Sequence, residues 1–149
     1  MHAVTTVTPD DLDELLPLMR GYCDFYEAAP TDDALVALSR SLIADPDGEG
    51  FQILARDDAG RALGFATVYW SWSTLSAARI AVMNDLFVAS DARGSGAAEA
   101  LIEECRVRAG RRGAVRLTWQ TAKDNARAQK LYERVGGQRS EWLDYSLGT

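Results

Sequence analysis

Residues 82–102 constrain the fold more than any other stretch of the chain. An apolar run of strand formers, Leu86-Phe87-Val88, leads into a polar turn at Ser90, Asp91 and Arg93. Gly94 and Gly96 follow, and then a helix-forming run from Ala97 to Ile102. A strand, a glycine turn and a helix in that order aim unpaired backbone N–H groups at one point. The first turn of a helix has four such groups, and the helix dipole adds partial positive charge there. That end of a helix suits a phosphate. Gly94 and Gly96 let a ligand approach where a Cβ would stand, and Arg93 can add a charged hydrogen bond. The loop is not a Walker loop, since no Gly-Lys-Ser/Thr follows, and it lacks the third glycine of the dinucleotide fingerprint. A tight turn into a helix explains it equally well until other residues decide.

The chain has 149 residues, enough for one domain over 1–149 with one real core. Apolar residues make up 47% and charged residues 26%, as in a soluble globular protein. No apolar run approaches the ~20 residues of a membrane span. The start lacks a basic region followed by an apolar one, so a cytoplasmic location is expected by default. Net charge is −6, which argues against nucleic acid and fits a cationic small partner. Cys23 and Cys105 fall in helical patterns and read as buried small residues. Two cysteines and one histidine do not make a usual structural zinc site, so no metal is expected. The histidine, His2, sits at a terminus expected to be mobile. General base work then falls to carboxylates, tyrosine or water.

The order of elements comes from periodicity and punctuation. Residues 3–7 read as a strand. Thr8, Pro9 and Asp11 mark a helix start, with Leu12, Leu15, Leu16 and Met19 at helical spacing to about Phe25. Thr31 restarts a second helix to about Ala44. Strands are expected over 51–56, 62–72 and 79–88, with a hairpin turn at 57–60. Leu63, Phe65, Thr67, Tyr69 and Ser71 should share one face of the second. A helix to about Arg108, a strand over 115–121, a helix over 125–135 ended by Gly136-Gly137, and a last strand over 140–147 complete the chain. The order is β-α-α-β-β-β-α-β-α-β.

The second informative stretch is 125–137. Asn125, Ala128 and Tyr132 share one face of that helix, while Arg127, Lys130 and Arg134 fall on the face expected to be solvated. With Arg93-Gly94-Ser95-Gly96-Ala97-Ala98, this stretch resembles the GNAT superfamily of acetyl-CoA-dependent N-acetyltransferases. That family's phosphate loop reads Arg/Gln-x-x-Gly-x-Gly/Ala. Its later motif has Asn, Ala, Leu-Tyr and Gly-Phe or Gly-Ala, which Asn125, Ala128, Leu131-Tyr132 and Gly136-Gly137 follow. Tyr26-Glu27, residues 69–74, Asp85 to Val88 and Trp142 look most like its single-domain diamine and polyamine acetyltransferase-like members. One position departs: where that subgroup often has a glutamate before Asp-Leu-Phe-Val, this chain has Asn84.

The resemblance implies an α/β fold: a mixed, mostly antiparallel sheet with helices on both faces. It implies acetyl-CoA along Leu86, Phe87 and Val88, its diphosphate on Arg93, Gly94, Ser95, Gly96, Ala97 and Ala98, with Asn125 and Tyr132 nearby. Tyr132 takes the position of the acid that protonates the leaving thiolate. Asp85 is the first choice for base and Glu27 the second. Tyr26, Glu27, Asp85 and Trp142 would face the acceptor, a small-molecule amine. A homodimer fits the analogy. A protein amine as acceptor, and a CoA-binding module without catalysis, are the competing readings.

Overall fold

The computed structural model describes residues 2–149. β1 (Ala3–Thr6) leads through a single turn of 3-10 helix into α1 (Leu12–Phe25) and α2 (Asp32–Ala44). Three antiparallel strands follow: β2 (Gly50–Arg56), β3 (Ala62–Ser73) and β4 (Ala78–Val88). Then come α3 (Ala97–Arg111), β5 (Leu117–Thr118) and α4 (Ala126–Arg134). The five strands make one sheet in the order β1-β2-β3-β4-β5, and only β4 and β5 run parallel.

Local chemistry explains the boundaries. Asp11 accepts hydrogen bonds from the backbone and hydroxyl of Thr8, so the expected start holds as a reciprocal cap. The Thr31 hydroxyl accepts from the Ala34 N–H to start α2. At the end of α4, Gly136 has φ 88°, and the Gly137 N–H reaches back to the Tyr132 carbonyl at 2.8 Å. This left-handed ending satisfies the last carbonyls of the helix.

Helices cover both faces of the sheet. On one, α3 packs Leu101, Ile102 and Cys105 against Ile53, Val68 and Met83. On the other, α1 and α2 pack Leu15, Met19 and Leu35 against Leu54 and Phe65. Both cysteines are buried, as their helical pattern predicts. Burial pushes the Cys105 thiol up to about 12.

Two bulges reset which side chains face where. On β4, Asp85 lies opposite Thr67 and Met83 opposite Val68, which leaves Asn84 as the extra residue. Met83 therefore joins the α3 side, while Phe87 joins the α1 side. On β3, the shift opposite Ala55 and Arg56 turns Leu63 to the α3 side while Phe65 faces α1. The expectation that Leu63 and Phe65 share a face fails for this reason.

Two expected strands are corrected. The strand over 115–121 is only Leu117–Thr118, because β4 pairs with it only at Ala81 and Val82, before the Asn84 bulge. Residues 140–147 form no strand; Trp142, Leu143, Tyr145 and Leu147 stand in the open without a partner. No described helix is long and apolar enough to cross a membrane.

Candidate active site

A cleft of about 600 Å³ opens where β4 parts from β5. Its floor is Leu86, Phe87 and Val88, its near wall the end of α1, and its far walls the start of α3 and the length of α4. The Phe87 carbonyl points toward Gly64 of β3, and the Ala89 N–H is taken by Leu63. Strand alternation then turns the backbone groups of Leu86 and Val88 toward the cleft. The side-chain bonds agree: Val88 O accepts from Arg93 Nε at 3.4 Å, and Asn84 O accepts from the Tyr22 hydroxyl at 3.2 Å.

One end of the cleft is built from backbone. Gly94 and Gly96 have φ of 79° and 90°, a region that disfavours side chains. The space where a Gly94 Cβ would stand is open. Ala100 makes the first bond of α3, to Gly96 O. The N–H groups of Gly94, Gly96, Ala97 and Ala98 have no acceptor among the described residues. Four donors converging at a helix start form an anion cradle. His2 is not loose beside it: its Nε2 lies 2.7 Å from the Ser95 carbonyl, which ties the first strand to the loop.

The other end is built from side chains. Tyr22 and Phe25 from α1, and Tyr26 just after it, face Tyr132 from α4. The rings of Tyr22 and Tyr26 meet at a tilt of 58° with centroids 5.0 Å apart, and Trp119 meets Tyr132 edge-on at 5.3 Å. Burial raises the Tyr132 phenol above its ordinary value, with a smaller contribution from Tyr26. Beneath Tyr22, Asp85 is only 9% exposed and accepts from Asn84 Nδ2 at 2.9 Å. It ends a buried polar row across three strands, Gln52–Thr67–Asp85, in which Gln52 Nε2 donates to Thr67 Oγ1 at 3.0 Å. Burial and then the Asp85 charge raise Tyr22, and the same two causes push Tyr69 up to about 12.

Most of the residues singled out from sequence meet here. Leu86, Phe87, Val88, Arg93, Gly94, Gly96, Ala97, Ala98, Asn125, Tyr132 and Tyr26 line the one cleft. Ser95 lies in the cradle loop without lining the cleft. The Asn125 side chain caps α4 by accepting from the Ala128 N–H at 3.2 Å. Asp85 sits behind the cleft wall. Glu27 is exposed on the turn after α1 with φ 55°, away from the lining. Trp142 is 86% exposed and does not reach the cleft.

These features have counterparts among known proteins. Residues 15–137 match the model of the acetyltransferase (GNAT) family. This chain belongs to the GNAT acetyltransferase family. An uncharacterized N-acetyltransferase of Bacillus subtilis, YhfO, is 33% identical over 126 residues, covering 85% of this chain and 83% of its own. The D-amino-acid N-acetyltransferase HPA3 of Saccharomyces cerevisiae is 31% identical over 134 residues, covering 89% and 82%. A crystal structure of a probable acetyltransferase superposes with a TM-score of 0.86 at 31% identity, over 99% of this chain and 97% of that one. An aminoglycoside N-acetyltransferase in complex with CoA shares the fold at TM-score 0.83 and 19% identity, over 99% and 95%. The protein is thus an N-acetyltransferase of GNAT architecture.

Within that architecture, sequence reasoning missed two groups. Arg127, Lys130 and Arg134 are exposed, as their face predicts, but that face also borders the GNAT cleft. Arg134 pairs with Glu99, and its hydrogen bond is the leading cause that holds that carboxyl below its usual range. Arg127 and Lys130 have no carboxylate partner among the described residues, so the cradle end carries net positive charge. Three cations within eight residues of a helix next to a glycine turn were a usable signal. Tyr22, one turn ahead of the α1 end, carried none: an aromatic at helical spacing reads as core.

Proposed function

We propose that this enzyme transfers the acetyl group of acetyl-CoA to a primary amine of a small cationic acceptor, by direct attack in a ternary complex. The observation that carries this reading is that one cleft joins a backbone anion cradle to a tyrosine–carboxylate cluster, with free strand backbone between them.

In this reading the N–H groups from Gly94 to Ala98 hold the diphosphate, and Arg93 adds charge. The backbone of Leu86 and Val88 bonds the amides of the pantetheine arm. An alkylamine has a pKa near ~10.4, so under ~0.1% is the free nucleophile at pH 7. Deprotonation costs about 4–5 kcal/mol, which Asp85 offsets by taking the proton through a water beside Tyr22. Glu27 is a weaker candidate because its turn holds it outside the cleft. The amine lone pair attacks the acetyl carbon, and N–H groups at Leu86 and Val88 stabilise the oxyanion. The C–S bond then breaks, and Tyr132 gives its proton to the thiolate. A raised phenol stays protonated and ready at neutral pH.

The acceptor end supports a cation through its carboxylate, its tyrosine faces and the net charge of −6. The polyamine-like reading rests on the sequence resemblance alone, and Asn84 departs from it. The D-amino-acid specificity in the yeast relative's name makes free amino acids a second class to test.

The experiment is thiol release from acetyl-CoA against a panel of diamines, aminoglycosides, D-amino acids and lysine peptides. Turnover with cationic small amines is the expected result. Turnover only with neutral or anionic acceptors would remove the cationic reading, and no thiol release with any amine would remove the catalytic one.

A further inference from the structure

The glycines that open the cradle also leave it loose. Gly94 and Gly96 both have positive φ, and only Ser95 stands between them. Glycine adopts either sign of φ at similar cost, so the Ser95–Gly96 peptide can turn over with little resistance from its own chain. One orientation aims the Gly96 N–H into the cleft. The other turns the negative end of the Ser95 carbonyl toward a bound anion. A trans peptide points its carbonyl and its N–H in opposite directions. Whatever holds the Ser95 carbonyl away from the cleft therefore holds the Gly96 N–H toward it. Gly96 lines the cleft and Ser95 does not. His2 holds that carbonyl. Its Nε2 lies 2.7 Å from Ser95 O, and since a carbonyl only accepts, Nε2 carries the proton. The same nitrogen is 3.8 Å from where a Gly96 Cβ would stand, so the ring sits against the turn. Its Nδ1 is buried and has no hydrogen-bond partner among the described residues, which leaves the loop as the polar contact of this ring. The base of the ring is fixed as well. Ala3, the next residue, pairs with Arg56 of β2, and Val4 packs against the core under α3.

We propose that, with the cradle holding the donor diphosphate as read above, His2 is a positioning residue for donor binding. Its bond to Ser95 O selects the peptide orientation that presents the Gly96 N–H to the diphosphate. Among the cradle donors, those of Ala97 and Ala98 are oriented by α3 itself. Gly96 precedes the helix with φ 90°, so its N–H is the one that the helix does not fix. The tether therefore acts on one donor of the cradle, and its loss weakens donor binding without abolishing it. His2 is not among the residues that line the cleft, and it touches neither the tyrosine cluster nor Asp85. The effect belongs to the affinity for acetyl-CoA and not to the chemical step.

The test titrates acetyl-CoA and S-acetylpantetheine into the full chain as wild type, His2→Leu and His2→Gln. Leucine keeps the packing and cannot donate. Glutamine can place an N–H near the position of Nε2. His2→Leu should bind acetyl-CoA about 10-fold more weakly, the size of one lost hydrogen bond, with S-acetylpantetheine bound as in the wild type. The KM for acetyl-CoA should rise by the same factor while the maximal rate holds. His2→Gln should recover most of the loss. On the unmodified protein, in mildly alkaline buffer where a neutral ring carries one proton, nitrogen NMR should find that proton on Nε2. A proton on Nδ1 overturns the proposal even if neither variant folds. So does equal weakening of both ligands in His2→Leu, which would mean a general loss of structure, or no recovery in His2→Gln. A wild type that binds both ligands equally removes the diphosphate reading of the cradle and the role of His2 with it. A preference for acetyl-CoA that wild type and His2→Leu share undiminished leaves the cradle reading standing and removes His2 from it.

Discussion

The two ends of the cleft are made of different material. At the cradle, backbone is what faces the cleft: two glycines with positive φ and four free N–H groups at the start of α3. At the end proposed for the acceptor, side chains face it: Tyr22, Tyr26 and Tyr132, with Asp85 behind them. A backbone site depends on a few obligatory residues in a fixed order, and it tolerates almost any neighbours. A side-chain site depends on what several distant elements bring together. The first can therefore serve one invariant ligand, while the second can be retuned one residue at a time.

The largest test of this contrast is Tyr132→Phe. It removes one hydroxyl and almost no volume. The maximal rate should fall on the order of 10²- to 10⁴-fold, while acetyl-CoA affinity stays unchanged. Steady-state thiol release with a separate binding titration measures both, and wild-type turnover would leave Tyr132 as a packing partner of Trp119. Asp85→Asn should come next, with a loss of about 10²-fold, visible only with amine acceptors that are protonated at the assay pH. An equal loss with a weakly basic amine would mean that Asp85 acts on structure and not as a base.

The pH profile separates the two roles. Turnover should rise with pH as the acceptor amine loses its proton. It should begin to fall only above the ordinary tyrosine range, since Tyr132 is raised. A profile that falls near pH 8 would contradict a phenol as the acid. Tyr22→Phe removes the hydrogen bond to the Asn84 carbonyl and should cost about 5-fold in kcat/KM. Its effect should vanish in the Asp85→Asn background if the two act together.

How much of this was legible follows the same division. The cradle could be read directly, because Gly94 and Gly96 before a helix-forming run leave few alternatives. The capped start at Thr8 and Asp11 and the Gly136 ending of α4 were equally plain, since each is a local rule acting within a few residues. The acceptor end was only partly readable. Asp85 was visible as a candidate, but its burial under Tyr22 depends on the Asn84 bulge, and the pairing register that defines a bulge is a property of two strands. Leu63 was misplaced for the same reason. Residues 140–147 show the limit most clearly: their alternation specifies a strand, and within one chain no partner takes it up.

The smallest effect lies outside the cleft and checks that the frame is understood. Burial alone would raise the Asp11 carboxyl, but hydrogen bonds from Thr8 and the charge and bonds of Arg56 outweigh it and hold the pKa down. A group depressed in the folded state adds stability above its unfolded value, near ~3.9, and loses it as pH falls through the folded value. Asp11→Asn should therefore lower stability by about 1 kcal/mol at pH 7. The gap to wild type should close below roughly pH 3. A gap that persists there would assign the loss to packing.

The central claim is that the cradle holds the diphosphate of the donor. Calorimetric titration of acetyl-CoA and of S-acetylpantetheine, which lacks that group, tests it on the wild type and on Gly96→Leu. The account predicts that acetyl-CoA binds the wild type at least about 100-fold tighter than S-acetylpantetheine, as charge-assisted bonds to two phosphates require. In Gly96→Leu, still folded by circular dichroism, that difference should collapse while S-acetylpantetheine binds as before. Equal affinity of the two ligands for the wild type, or an undiminished preference in Gly96→Leu, would contradict it.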